Sequence, residues 1–250
     1  MALGRAEMMM LVRNRTALTS ALALPLGSLW LMRSTTPSSY ATESGDELEA
    51  APVLATGTIG MVLLFVVYST LVSAYVARRE GLVLKRLRTG QLADGEVLAG
   101  TALPAVLVAL LQCGIVIGVG MTVLHVRAPA DPLLLGAGVL LGTVLVAALA
   151  AVSSALTRTV EMAQLTTMPL LLVSVAGSGL VLPLTAMPGR LADLCHLLPL
   201  TPVMETVRIG WLGAESGTWS AGMPHLGGAA LWTAVAVWAA ARLFRWDPRK

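Results

Sequence analysis

Long apolar runs alternate with short polar connectors along this chain, and six of the runs read as helices that cross a bilayer. They are Thr16 to Met32, Val53 to Ala77, Val97 to Leu124, Leu133 to Thr157, Met162 to Leu182 and Leu226 to Leu243. About 20 apolar residues at 1.5 Å rise cover the hydrocarbon core, so the pattern predicts an all-α integral membrane protein, a single domain over residues 1–250. Pro104 should kink the third run, where Gly114 and Gly118 make a small-xxx-small face and Gln112 is the one strongly polar group at the middle. Gly136, Gly138 and Gly142 in the fourth run have no preceding strand, so they read as helix-packing positions and not as a nucleotide fingerprint.

The connectors carry the more specific information. Between the second and third runs lies a charged island from Arg78 to Arg88, holding five of the chain's 17 basic residues. Five Lys or Arg at mid-bilayer would cost on the order of 12 kcal/mol on insertion scales, so the island lies in water, against headgroups or against protein. Val83, Leu84 and Leu87 give it an apolar edge at helical spacing, which predicts a short amphipathic helix over about residues 78–90. The end of the second span, leading into it, carries Ser69, Thr70 and Ser73 with Tyr68 and Tyr75. Such polar groups hold helices together or line a path.

Residues 183–224 are apolar yet broken by Pro183, Pro188, Pro199, Pro202 and Pro224. Leu191, Leu194 and Leu198 set one face of a short helix opposite Arg190, Asp193 and His196, and a second short piece places Glu205 and Arg208 one turn apart, able to pair. Broken backbone at membrane depth requires protein or a water-filled cavity around it, so a re-entrant or interfacial pair of half-helices is expected on the outer side.

Charge then fixes the orientation. With both termini cytoplasmic, 13 Lys and Arg fall inside, against Arg33, Arg127, Arg190 and Arg208 outside. Arg5, Arg13 and Arg15 before the first run also suit a signal peptide, but no small-x-small cleavage site follows, and Trp30 and Arg33 end the run as an interfacial anchor does. At 56% hydrophobic, with a mean hydropathy of +0.79, the chain is not an ordinary soluble domain, and its basic residues sit at span ends and not in a nucleic-acid patch. No phosphate-binding Gly-x-x-x-x-Gly-Lys motif occurs, and the only lysines are Lys85 and Lys250. The chain is therefore expected to bind no cofactor, to carry no catalytic residues and no metal, and to take its energy from elsewhere. Cys113 and Cys195 match no redox spacing, and His125, His196 and His225 stand singly. An ion-coupled carrier, or a non-transporting membrane scaffold or immunity protein, stays open as an alternative. The spans lack the interior charges that relay protons in such carriers.

Two motifs resemble a known family. Arg79-Glu80-Gly81-Leu82-Val83-Leu84-Lys85-Arg86-Leu87-Arg88-Thr89-Gly90 is similar to the coupling helix of membrane subunits of type-2 ATP-binding-cassette exporters. Ser178-Gly179-Leu180-Val181-Leu182-Pro183 and Leu197-Leu198-Pro199-Leu200-Thr201-Pro202, continuing to Arg208, resemble the broken outer segment between the fifth and sixth helices of that family. The likeness is closest to actinobacterial efflux permeases of the daunorubicin-resistance type. Val83 and Gly90 depart from the Thr and Pro of many relatives.

The resemblance implies a bacterial plasma-membrane permease that dimerises, as a homo- or heterodimer, and pairs with cytoplasmic ATPase subunits, which use the ATP. It would move a drug, antibiotic or lipid-like molecule outward. Glu80, Gly81, Leu84, Lys85, Arg86, Leu87 and Arg88 would then form the ATPase-coupling segment, or, on the alternative reading, a topology signal on anionic lipid. Ser69, Thr70, Ser73, Ser174 and Ser178 would line the path, and Pro183, Pro188, Pro199, Glu205 and Arg208 would belong to an outer lid.

Overall fold

The computed structural model describes residues 27, 47–81, 94–122, 127–181, 184 and 187–244, with the backbone alone for 47–52 and 94. The expected first span, Thr16 to Met32, lies outside the described residues, as do Leu84, Lys85, Arg86, Leu87 and Arg88 of the island, and Pro183. Among the described residues the secondary structure is entirely helical. Helix α1 is continuous, α-helical over Glu47–Val62, π-helical over Leu63–Ser69 and α-helical again over Thr70–Glu80. There follow α2 (Asp94–Thr122), α3 (Pro132–Leu156), α4 (Val160–Gly177), α5 (Gly189–His196), α6 (Thr201–Leu212) and α7 (Thr218–Leu243). Five of these are long and apolar enough to cross a membrane: Val53–Glu80 of α1, Gly95–Thr122 of α2, α3, α4 and α7.

Local chemistry explains the boundaries. Helix α3 starts where Asp131 accepts from the backbone N–H of Leu133 and Leu134, each at 3.0 Å, with Pro132 in the first turn where its missing donor costs nothing. Thr159 caps α4 by accepting from Met162 N at 3.4 Å, which leaves a three-residue turn containing Arg158 between α3 and α4. Three boundaries differ from the sequence reading by five residues or more, the first being the start of α1 at Glu47 in place of Val53. Helix α4 stops at Gly177, short of Leu182, because Gly179 takes a left-handed φ of 71°. Helix α7 begins at Thr218 and runs through Pro224, so the broken outer segment ends earlier than residue 224. A proline removes one N–H from the ladder, which a long apolar helix tolerates. Helix α2 passes Pro104 in the same way.

Helix α3 is the centre of the bundle, with α1, α6 and α7 packed on it. The glycines of the fourth apolar run make this possible. A Cβ on Gly138 would lie 2.9 Å from Val207 Cγ2, and one on Gly142 would lie 2.6 Å from Val203 Cγ1. One on Gly210 would lie 2.6 Å from Leu135 N, so α3 and α6 run antiparallel with their backbones close together. By contrast a Cβ on Gly114 or Gly118 would meet nothing within 4 Å among the described residues.

Candidate functional site

Two regions hold the functional candidates, one at each end of the bundle. At the end carrying the charged island, α1 continues unbroken through Arg78 and Arg79 to Glu80, and Gly81 N closes it on Ala77 O at 2.9 Å. The island therefore begins inside the second span's helix. Arg79 is 1% exposed, so of the three surroundings open to the island, water, headgroups or protein, this residue takes protein. Its Nη1 donates to Ser154 O at 2.8 Å and its Nη2 donates to Thr157 O. These carbonyls belong to the last turn of α3 and its cap, where helical partners run out and the dipole is negative, so a guanidinium is well matched there.

Further contacts grip the same turn and the start of α2. Tyr68 Oη lies 3.0 Å from Ser153 Oγ, Tyr75 Oη donates to Leu98 O at 3.3 Å and Arg78 Nη1 donates to Thr101 Oγ1 at 3.2 Å. The two tyrosines thus join helices. Glu80 and Gly81 are exposed beyond the lock. A force on the segment after Gly81 would reach the α3–α4 turn through Arg79.

At the opposite end, α5 and α6, joined by the turn at residues 197–200, form a hairpin of short helices, the segment that the sequence leads one to expect as re-entrant or interfacial on the outer side. Helix α6 has 12 residues and is about 18 Å long, too short to cross a ~30 Å core. Its contacts on α3 place Val203 beside Gly142, about 15 Å along α3 from Pro132, and place Gly210 at the start of α3. Asp131 N donates to Gly210 O at 2.8 Å and Ala130 N donates to Trp211 O at 3.0 Å, which fixes the outer end of the hairpin. The turn at its inner tip satisfies its own backbone: Leu198 N donates to Cys195 O at 3.1 Å, Thr201 N to Leu198 O at 3.2 Å and Thr201 Oγ1 to Cys195 O at 2.6 Å. That meets the requirement for non-helical backbone at depth.

Glu205 and Arg208 do pair, with Arg208 Nη1 2.7 Å from Glu205 Oε1 and the side chains 13% and 17% exposed, respectively for Arg208 and Glu205. Arg208 Nη2 also donates to Gly179 O at 2.6 Å, tying the re-entrant helix to the turn after α4. Ser178, beside that carbonyl, is fully buried, and its Oγ has no hydrogen-bond partner among the described residues. Leu180 of the same turn sits on α1, where a Cβ on Gly57 would lie 2.1 Å from its carbonyl oxygen. Of the expected apolar face, Leu191 and Leu194 on α5 are exposed among the described residues, as are Arg190, Asp193 and His196, whereas Leu198, just past the helix, is half-buried against Gly177, where a Cβ would lie 2.4 Å from its Cδ1, and Cys195 is buried. Pro188 caps α5, and half-buried Pro199 lies in the tip turn.

The five candidate lining residues do not form one cluster. Ser69, Thr70 and Ser73 lie about 10–16 Å from the Glu80 end of α1, whereas Ser174 is buried about 21 Å along α4 from its own start at that end. Ser174, Ser178, Glu205 and Arg208 do gather at the outer end. The π-helical stretch Leu63–Ser69 was not foreseen. Thr70 Oγ1 donates to Phe65 O, five residues back, at 3.3 Å, and Phe65 and Thr70 are exposed on that bulge, so the widened turn opens the polar stripe. No Gly or Pro marks it in the sequence.

The match to known families agrees with this architecture. The family model described as ABC-2 family transporter protein matches residues 14–242, nearly the whole chain, and the chain belongs to that family. It is a multi-pass membrane protein and a transmembrane subunit of the kind that partners an ABC ATPase. No curated protein matches it.

Proposed function

We propose that this subunit exports a hydrophobic or amphipathic molecule, using ATP hydrolysed by a separate cytoplasmic ATPase, and that it works as a dimer with a second permease subunit. The observation that carries the reading is the burial of Arg79. The segment expected to dock on the ATPase begins with Glu80, the residue directly after a guanidinium clamped to the end of α3. Closure of the ATPase would push on Glu80 to Arg88 and move α1, α3 and the α3–α4 turn together. The Glu205–Arg208 pair and its bond to Gly179 would hold the outer hairpin shut until that movement arrives. Ser69, Thr70 and Ser73 would line the inner half of the path, and Ser174 and Ser178 the outer half. A drug, antibiotic or lipid-like molecule suits a path with few charged groups.

The test is reconstitution with the ATPase encoded beside this chain, measuring ATP turnover for wild type and Leu87→Glu. Stimulation by the wild type that the variant loses supports coupling through the island. Absence of co-purification and of any change in turnover would overturn it, leaving a gradient-driven carrier or a scaffold.

A further inference from the structure

Buried positions recur every four residues along the inner half of α1. Leu63, Val67, Leu71, Tyr75 and Arg79 form one row, and Leu64, Tyr68, Val72 and Val76 form a second beside it. Each residue of an α-helix turns about 100°, so a row with a step of four drifts by about 40° per step and by ~160° between Leu63 and Arg79. The π-helical stretch Leu63–Ser69 takes up one residue more than an α-helix and so removes about 100° of that drift. Both ends of the row then meet α3. A Cβ on Gly142 would lie 2.9 Å from Leu63 Cδ1, and Arg79 donates to Ser154 O and Thr157 O.

If the stretch rewound as plain α-helix, the residues after it would turn by about 100°, and each would take the place its successor holds now. Arg78 would enter the place of Arg79 beside the α3 carbonyls. Tyr75 would take the place of Val76, Leu71 that of Val72 and Val67 that of Tyr68. The inward rows would stay apolar apart from Thr70, a residue type that bonds a carbonyl of its own helix. Arg78 would give up Thr101 Oγ1, now 3.2 Å away, and Arg79 would move to the exposed place of Glu80. A guanidinium is thus available to the end of α3 in both registers.

We infer that α1 is a two-register switch, in which the π-helical turn stores one residue and Arg79 and Arg78 alternate on the carbonyls of Ser154 and Thr157. The structure holds the Arg79 register. The outer half of α1 stays fixed, because a Cβ on Gly57 would lie 2.1 Å from Leu180 O and one on Gly60 2.8 Å from Met204 Sδ, which leaves no room to rotate. The use of the switch rests on the export reading: a push on the segment after Gly81 would wind the turn and rotate the inner half, carrying Ser69, Thr70 and Ser73 around the helix axis.

The tests need no ATPase, so they stand apart from the export reading, which the Leu87→Glu experiment decides. They use the whole chain in detergent. Deleting Phe65, 49% exposed in the π-helical stretch, removes the stored residue and should leave the unfolding midpoint close to wild type with Arg79 held in place. Deleting Val144, 48% exposed in α3, where no residue is stored, should abolish folding. Arg79→Met should lower the midpoint further in the Phe65 deletion than in the whole chain, since only the whole chain can bring Arg78 into the vacated place. Equal loss in the two backgrounds, or a Phe65 deletion as damaging as the Val144 deletion, would overturn the switch. Maleimide labelling of single cysteines reads the rotation with no deletion. When Arg79→Met is introduced, Val76→Cys, at a buried position, should gain reactivity, and Ala77→Cys, at an exposed one, should lose it. A gain at both positions, which marks local unfolding, or no change at either would refute it.

Discussion

Arg208 donates from Nη2 to the carbonyl oxygen of Gly179 across 2.6 Å, joining the re-entrant helix to the turn that ends α4. The same guanidinium holds Glu205, so removing it leaves a largely buried carboxylate alone. Arg208→Ala is expected to destabilise the protein by about 3 kcal/mol, and Arg208→Lys by less, since an ammonium keeps the charge but not the fork. Thermal unfolding in detergent reads both. A double cycle with Glu205→Gln should show coupling of about 1 kcal/mol or more, and simple additivity would mean the pair is not formed.

Arg79 makes the corresponding lock at the other end. Arg79→Met keeps the apolar stem but abandons the carbonyls of Ser154 and Thr157, with an expected loss of about 2–4 kcal/mol. In the reconstituted complex it should also weaken permease-dependent ATP turnover, whereas Arg127→Met on the outer connector should not. Equal effects of the two substitutions would refute transmission through Arg79.

The glycines separate by what surrounds them. Gly57→Ala drives a methyl into the Leu180 carbonyl and is expected to cost about 2 kcal/mol or more, because backbone is the obstacle. Gly136→Ala and Gly114→Ala meet open space among the described residues and should be neutral or stabilising by up to about 1 kcal/mol in the monomer. Unfolding midpoints of the three variants give the order.

Topology is open to a direct test. Cys113 and Cys195 are buried, so background labelling of native protein should be low. Arg158→Cys, in the exposed α3–α4 turn, is expected to react with a membrane-impermeant maleimide only after cells are opened, and Ser216→Cys, before α7, in intact cells. Val203→Cys, at the buried start of the re-entrant helix, should stay unreactive in both. Reversed labelling of the first two would invert the orientation drawn from the basic residues.

The sequence by itself determined that this is a helical membrane protein. It placed five apolar spans that the structure contains, and it located a broken apolar segment carrying a Glu205–Arg208 pair. Those features are local, because apolar length, helical spacing and proline positions act over a few turns. What Arg79 touches was decided only by the tertiary structure. Nothing near Arg79 in the sequence reveals that the C-terminal carbonyls of α3, some 75 residues later, arrive beside it. The depth of the hairpin likewise depends on Gly138, Gly142 and Gly210 meeting Val207, Val203 and Leu135 across two helices. The crevice between α2, α3 and α7 exists because α2 packs on α1 and stands off α3. Composition records which residues prefer an apolar surrounding, but the register between helices, and hence which polar groups find partners, is set by packing across the whole bundle.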